Sequence, residues 1–292
     1  MLTRREFGVL AATGLGLTWD AVLAAQSPAG VRLGAQTYSF RDIPRAADGD
    51  GVGPIIAAMT ACGLKECELW APQVEPAGLS RDAIRAWRLE TPLDHFRAVK
   101  SRFDAAGISI YGYNYSPNKS YTDPEIARGF EMAKALGAEI ITASTTLDVA
   151  PRIKPFAEQH RMVVAMHGHS NLTDPNEFAT PESFAKAMKM SKFFKINLDI
   201  GHFTAANFDP VAYIKEHHAD ITNLHLKDRK KNEGDNTVWG QGETPIKEIL
   251  TTMRKEKYKF PASIELEYQI PEGSDAVVET AKCVQFCKNA LA

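Results

Sequence analysis

Two histidines, His167 and His169, stand two residues apart in VVAMHGHSN (163–171), with Gly168 between them. Alternate residues of a strand share a side, so the apolar run before this pair would bring both imidazoles to one face at a strand end. Three later stretches repeat the pattern. FFKINLDIGH (193–202) sets Asn197 and Asp199 on one face and Ile196 and Leu198 on the other. DITNLHLKD (220–228) sets Asn223, His225 and Lys227 against Leu224 and Leu226. FPASIELEY (260–268) sets Ser263, Glu265 and Glu267 against Ile264 and Leu266. Imidazoles and carboxylates on a buried face are costly unless paired or ligated. One inward histidine would be ordinary core filler, but here four successive strands each contribute a candidate ligand. His167, Asp199, His225 and Glu265 offer two nitrogens and two oxygens, a set suited to one divalent ion such as Mn²⁺, Zn²⁺, Co²⁺, Fe²⁺ or Mg²⁺ rather than Ca²⁺. Period alone does not choose between Glu265 and Glu267. His169, one step further out than His167, could replace it as ligand or meet substrate.

These strands belong to a longer rhythm. Strands are expected at 31–40, 65–70, 108–116, 138–144, 161–169, 193–202, 220–228 and 260–268. Helical spacing follows each one, at 52–63, 91–107, 122–137, 148–160, 180–191, 209–218, 244–257 and 274–291. Helix ends are marked by Gly63, Gly107 and Gly137. Eight β–α units in this length predict an α/β fold, a single (β/α)₈ TIM barrel. The rival is an open doubly wound sheet, which would usually carry a glycine-rich phosphate turn after its first strand. Here that strand runs into YSFRDIP. In a barrel the apolar face of each strand packs on the helices. The polar sets would then converge inside, at the C-terminal mouth where active sites of this fold lie.

The first 25 residues read as a signal peptide of twin-arginine type, with Arg4 and Arg5, an apolar middle and small residues before Gln26. The apolar part is too short for a membrane span of ~20 residues, although an ordinary secretory signal with two arginines is the alternative. Cleavage near Ala24 or Ala25 leaves residues 26–292 as the barrel domain, close to the ~250 residues typical of the fold. A periplasmic or secreted protein is expected. The composition, 44% hydrophobic and 24% charged, is that of an ordinary globular chain. A formal charge of −2 gives no electrostatic grip on nucleic acid or an anionic membrane. Cys62, Cys67, Cys283 and Cys287 match no zinc spacing and are expected to be buried thiols.

The stretches LGAQTYSFRD, CELW, LDIGHF, NLHLKD and SIELEY, in this order along nearly the whole mature chain, resemble the xylose isomerase-like TIM-barrel superfamily in its sugar phosphate isomerase/epimerase branch. The resemblance implies a metal held from strands 5 to 8, which carries by position to His167, Asp199, His225 and Glu265. It implies that His202 contacts substrate oxygens and that Glu68 and Lys227 line the same mouth. Strand 5 departs from the family pattern. Ketose 3-epimerases place a glutamate where this chain has His167, and their two metal-bound glutamates remove and return the proton from opposite faces.

The chemistry implied is proton movement on a carbon beside a carbonyl, with Glu265 or Glu267 as base and His202 or His169 placing or protonating oxygens. Returning the proton gives an isomerase or epimerase of a free sugar or keto-sugar. Losing a β leaving group gives a lyase or dehydratase of a keto-glycoside or inositol-like substrate. Two long loops are expected at this mouth, 71–90 and 229–243. Trp70, Trp87 and Trp239 could stack on sugar faces. A DNA nuclease would need more metal ligands and a basic groove. A non-catalytic sugar-binding barrel is the remaining class.

Overall fold

The computed structural model describes residues 28–292 except Asp48. The expected signal peptide and its cleavage site therefore lie outside the described residues. Eight parallel strands close in chain order, with β1 (Leu33–Gln36) pairing to both β2 (Glu66–Trp70) and β8 (Ala262–Ile264). Between them run β3 (Ser109–Asn114), β4 (Ile140–Ala143), β5 (Val163–His167), β6 (Phe194–Asp199) and β7 (Ile221–Leu226). The fold is the expected single (β/α)₈ barrel.

The outer layer is α1 (Val52–Ala61), α2 (Arg81–Glu90), α3 (Leu93–Ala105), α4 (Asp123–Ala135), α5 (Ala150–His160), α6 (Pro181–Met190), α7 (Ile200–Ala205), α8 (Pro210–His217), α9 (Ile246–Glu256) and α10 (Ala276–Leu291). Local chemistry fixes their ends. Thr122 and Glu125 form a reciprocal capping box on α4, and Asp209 caps α8 through the amides of Val211 and Ala212. Gly63, Gly107 and Gly137 end α1, α3 and α4 with φ of +70°, +67° and +72°, a region that disfavours a Cβ.

Packing follows the alternation. Val164, Met166, Ile196, Leu198, Leu224, Leu226, Ile264 and Leu266 are all buried in the layer between strands and helices. The register sets His167 beside Asn197, Asp199 beside His225, and His225 beside Ser263. Inward polar residues of neighbouring strands thus come side by side.

Some expectations need correction. The stretch 71–90 is not one long loop: a 3₁₀ turn (Ala71–Gln73) leads to α2, which Ser80 caps through the amide of Ala83. The first strand stops at Gln36 and continues as a 3₁₀ turn, Thr37–Phe40. The eighth is regular only over Ala262–Ile264, though the Glu265 amide still donates to the Leu226 carbonyl at 3.0 Å. All four cysteines are free and buried, and burial pushes the Cys62 and Cys283 thiols up to about 11 and about 12.

Candidate active site

A cavity of about 390 Å³ opens at the C-terminal mouth of the barrel. His167, His225 and Glu265 line it, together with Trp70, His169, His202 and Glu267. One donor atom from each of His167, Asp199, His225 and Glu265 falls within 4.8 Å of the others. His167 is the last residue of β5, and Asp199 the last of β6. Asp199 does two jobs with two oxygens. Its Oδ1 accepts the His202 amide at 2.8 Å, capping α7, and this holds Oδ2 toward the other three groups.

The donor atoms fit a metal ion. Among the described residues, His167 Nδ1 and Nε2, Asp199 Oδ2, His225 Nδ1 and Glu265 Oε2 are buried without a directed hydrogen bond. His167 Nε2 lies 3.5 Å from Asp199 Oδ2 and 3.9 Å from Glu265 Oε2, and His225 Nδ1 lies 2.9 Å from Glu265 Oε2. Native proteins rarely leave buried polar atoms such as the two His167 ring nitrogens without a hydrogen bond unless an ion or a ligand completes them.

Beneath this cluster is a polar layer inside the barrel. Glu68 is fully buried and accepts from Gln36, Asn114, Thr142 and Asn223. It also takes His225 Nε2 at 2.7 Å. A carboxylate can only accept, so Nε2 carries a proton, and Nδ1, 2.9 Å from Glu265 Oε2, is the nitrogen that faces the cluster. Glu68 therefore sits below the mouth as a support for His225, not on the pocket wall as expected. Burial pulls the His225 imidazole down, but Glu265 and Glu68 outweigh it and hold it well above its usual range.

Lys227 is also deeper than expected, at 2% exposure. Its ammonium lies 2.9 Å from Asp199 Oδ2 and 2.9 Å from Glu265 Oε2, and it contacts Glu267 as well. These are ionic contacts beside the cluster, and burial against them is outweighed by the three carboxylates, which raise the Lys227 pKa. Burial would raise Asp199, yet Lys227 holds it well below the usual carboxylate range.

The two strand-8 carboxylates separate. Glu265 belongs to the four-group cluster, whereas Glu267 stands outside it, 3.8 Å from His202 Nε2. His202 is neutral in character, because burial and then Lys227 push its pKa well below the ordinary value. Arg229 meets His202 Nδ1 at 2.6 Å. A guanidinium only donates, so His202 keeps its proton on Nε2, the nitrogen that faces Glu267.

The tryptophans divide too. Trp70 lines the pocket, with Tyr38 packed edge-on against it at 5.0 Å. Trp239 does not: it is buried in the outer core, edge-on to Phe286 at 5.6 Å. Trp87 packs on His95 and Phe96, away from the pocket. Sequence reasoning did not single out Ser144, Glu177 and Arg229. Ser144 follows Thr142 at strand period and was findable. Glu177 lies in the loop after β5, where no period operates, and meets His169 only through the fold.

A family model described as "Xylose isomerase-like TIM barrel" matches residues 56–285. The chain is similar in structure to a sugar phosphate isomerase/epimerase from Parabacteroides distasonis ATCC 8503, at 16% identity and TM-score 0.61, covering 88% of this chain and 95% of that one. It is similar to the probable 3-DHS dehydratase AsbF from Bacillus anthracis, at 16% identity and TM-score 0.64, over 87% and 98%. It is also similar to the IOLI protein with a bound zinc atom, at 14% identity and TM-score 0.64, over 89% and 98%. These likenesses share a fold. A search of curated proteins finds no match.

Proposed function

The chain belongs to the xylose isomerase-like TIM barrel family, and on that premise we propose that it is a divalent-metal-dependent enzyme that isomerises or epimerises a free sugar or keto-sugar. One observation carries the reading: His167, Asp199, His225 and Glu265 converge at the pocket floor, each with a donor atom within 4.8 Å of the others. When bound there, a divalent ion would supply Lewis-acid polarisation of a carbonyl and offset negative charge developing on its oxygen. Glu267 takes the proton from the neighbouring carbon, since it faces the pocket and is not among the four clustered groups. Lys227 holds that carboxylate in place. His202 Nε2–H donates to a substrate oxygen, and Trp70 offers an apolar face to the sugar ring. The arginine pair near the start of the chain supports export from the cytoplasm as part of the same proposal.

A second reading is elimination by the same first step. His167 favours it, because the strand-5 side then lacks a carboxylate to return the proton from the opposite face. A leaving group β to the carbanion would depart with a hydrogen bond from His202 Nε2–H and the proton that Glu267 has taken.

The test is the metal content of folded, signal-free protein, wild type beside His167→Ala. The wild type is expected to hold one equivalent of a transition metal and the variant to lose it. Equal metal in both would remove His167 from the ligand set. Metal-loaded protein is then given keto-sugars in deuterated water. Deuterium in recovered isomer supports the first reading, and an unsaturated product supports the second. Bound metal with neither outcome on any keto-sugar would overturn both in favour of a binding protein.

A further inference from the structure

A second cavity, of about 340 Å³, opens on the rim after β1 and β2, against α1 and α2. Its size is within the range of about 300–1,000 Å³ that ligand pockets span. Trp70 is the one residue that lines both this cavity and the one at the barrel mouth, so the indole is their common wall. That wall is fixed in place. The Trp70 amide donates to Thr37 Oγ1 at 2.8 Å, and Tyr38 packs edge-on against the ring. Phe40, Ile43, Ile55, Leu79 and Ile84 give the second cavity an apolar lining. Leu79 is 43% exposed, so an apolar group bound there would take it out of water.

The polar groups of the lining decide what fits. Arg45 donates to the Pro72 and Glu75 carbonyls, and Arg41 to the Leu266 carbonyl at 2.7 Å. The Glu75 carboxylate accepts from Arg88 at 2.7 and 2.8 Å. The three charged residues of the lining are thus committed to the protein, which favours an uncharged occupant. Gln73 differs. It is buried, its Nε2 donates to the Thr37 carbonyl at 2.8 Å, and its Oε1 has no hydrogen bond. A buried carbonyl oxygen without a partner is costly, and a donor on a ligand would complete it.

We propose that the second cavity is a subsite for an uncharged aromatic substituent of the substrate, one bearing a hydroxyl that donates to Gln73 Oε1, so that the substrate is a keto-glycoside straddling Trp70. The sugar ring lies on one side of the indole, by the four clustered groups, and the substituent on the other. Burial of the substituent then sets selectivity, while the chemistry stays at the barrel mouth. The inference rests on the keto-sugar reading of the first cavity, but the second cavity is open to a probe that carries no sugar.

Two probes test it. Phenol alone is titrated into the zinc-loaded full chain while indole ¹⁵N–¹H resonances are followed, with Trp70 assigned through Trp70→Phe. Phenol is expected to shift the Trp70 resonance in wild type but not in Ala77→Trp, whose new side chain fills the cavity from an exposed position of its lining. No shift in wild type, or the same shift in both proteins, overturns the proposal. Should Ala77→Trp not fold, Leu79→Asp, which sets a charge on the rim, takes its place with the same expectations. Methyl and phenyl 3-keto-glucosides are then compared by calorimetry. The phenyl compound is expected to bind wild type about tenfold tighter than the methyl compound, and Ala77→Trp no tighter. Equal affinities in wild type overturn the subsite and leave the sugar reading standing. One hydroxyphenyl isomer is expected to gain about a further fivefold, the scale of one hydrogen bond, and to lose that gain in Gln73→Met. No gain for any isomer, or a gain kept in Gln73→Met, overturns the part given to Gln73. Failure of both glucosides to bind wild type, with phenol still shifting Trp70, would sink the sugar reading and overturn the keto-glycoside assignment, leaving an aromatic site without a sugar.

Discussion

Gly201 shows how one missing side chain sets the charge pattern of the pocket. A Cβ at this position would stand 2.2 Å from Lys227 Cγ and 2.9 Å from the Lys227 carbonyl oxygen. The lysine stem therefore reaches Asp199 and Glu265 only by crossing bare backbone. Gly201→Ala is expected to displace the stem and to cost about 1–3 kcal/mol, as overpacking of a filled core does. Its unfolding free energy and metal content should both fall, and a variant unchanged in both would show that the stem moves freely. Lys227→Met probes the same charge from the other end. Removing one partner of a buried ion pair costs about 3–5 kcal/mol. That loss should appear in chelator-treated protein and be smaller with a divalent ion present, since the ion also neutralises the two carboxylates. An equal loss in both states would separate Lys227 from the metal site. Gly168 answers to the same logic. A Cβ there would come within 3.1 Å of Phe184 Cζ and 3.3 Å of the Phe178 carbonyl, so the residue between the two histidines lets the Glu177 loop close over them.

At the scale of elements, the loop after β7 depends on one carboxylate. Asp228 accepts the amides of Gly240, Gly242 and Thr244 at 2.7, 2.9 and 3.1 Å, drawing 229–243 back on itself. Asp228→Ala leaves those amides without their acceptor. The loop should then open to limited proteolysis and Arg229 should lose its hold on His202, lowering turnover more than global stability. Intact resistance to protease in the variant would show that the loop is held elsewhere. The sequence carried a good part of this architecture because one physical rule wrote it. In β5 to β8 the apolar residues that pack on helices alternate with the polar residues that point inward, so period two placed His167, Asp199, His225 and Glu265 together. The rule fails where a residue leaves the strand. Nothing in the spacing says that the loop bearing Trp239 turns toward Phe286, or that Glu177 comes back to His169. It also fails on α2, where Ile84 and Trp87 stand one turn apart but the buried side chain is Arg88. Glu68 was legible as an inward carboxylate but not as a support, because its depth depends on how many polar neighbours the closed barrel gathers beneath the mouth.

The whole molecule joins two buried charge systems with opposite expectations. The first is the candidate metal cluster, where ligation would stabilise the folded chain by about 2.7 kcal/mol at a hundredfold excess over the dissociation constant. The second lies outside the barrel, where Arg88 bridges Glu75 and Glu125 and Arg81 also grips Glu125. This network ties the rim after β2 to α2 and α4, so it couples elements far apart in sequence. Burial would raise the Glu125 carboxyl, but Arg81 and Arg88 outweigh it and hold it below the usual range. A carboxylate lowered in the folded state gives stability that is complete above its unfolded value, ~4.3. That stability is lost as pH falls through the lower folded value. The difference in unfolding free energy between wild type and Glu125→Gln should thus be largest near neutrality and shrink steadily below the ordinary glutamate range. The comparison belongs in chelator-treated protein, so that proton competition at the metal ligands does not enter. A difference independent of pH would mean that Glu125 contributes through packing and hydrogen bonds alone. A difference that grows in acid would reverse the sign and exclude the arginine-paired carboxylate as its source.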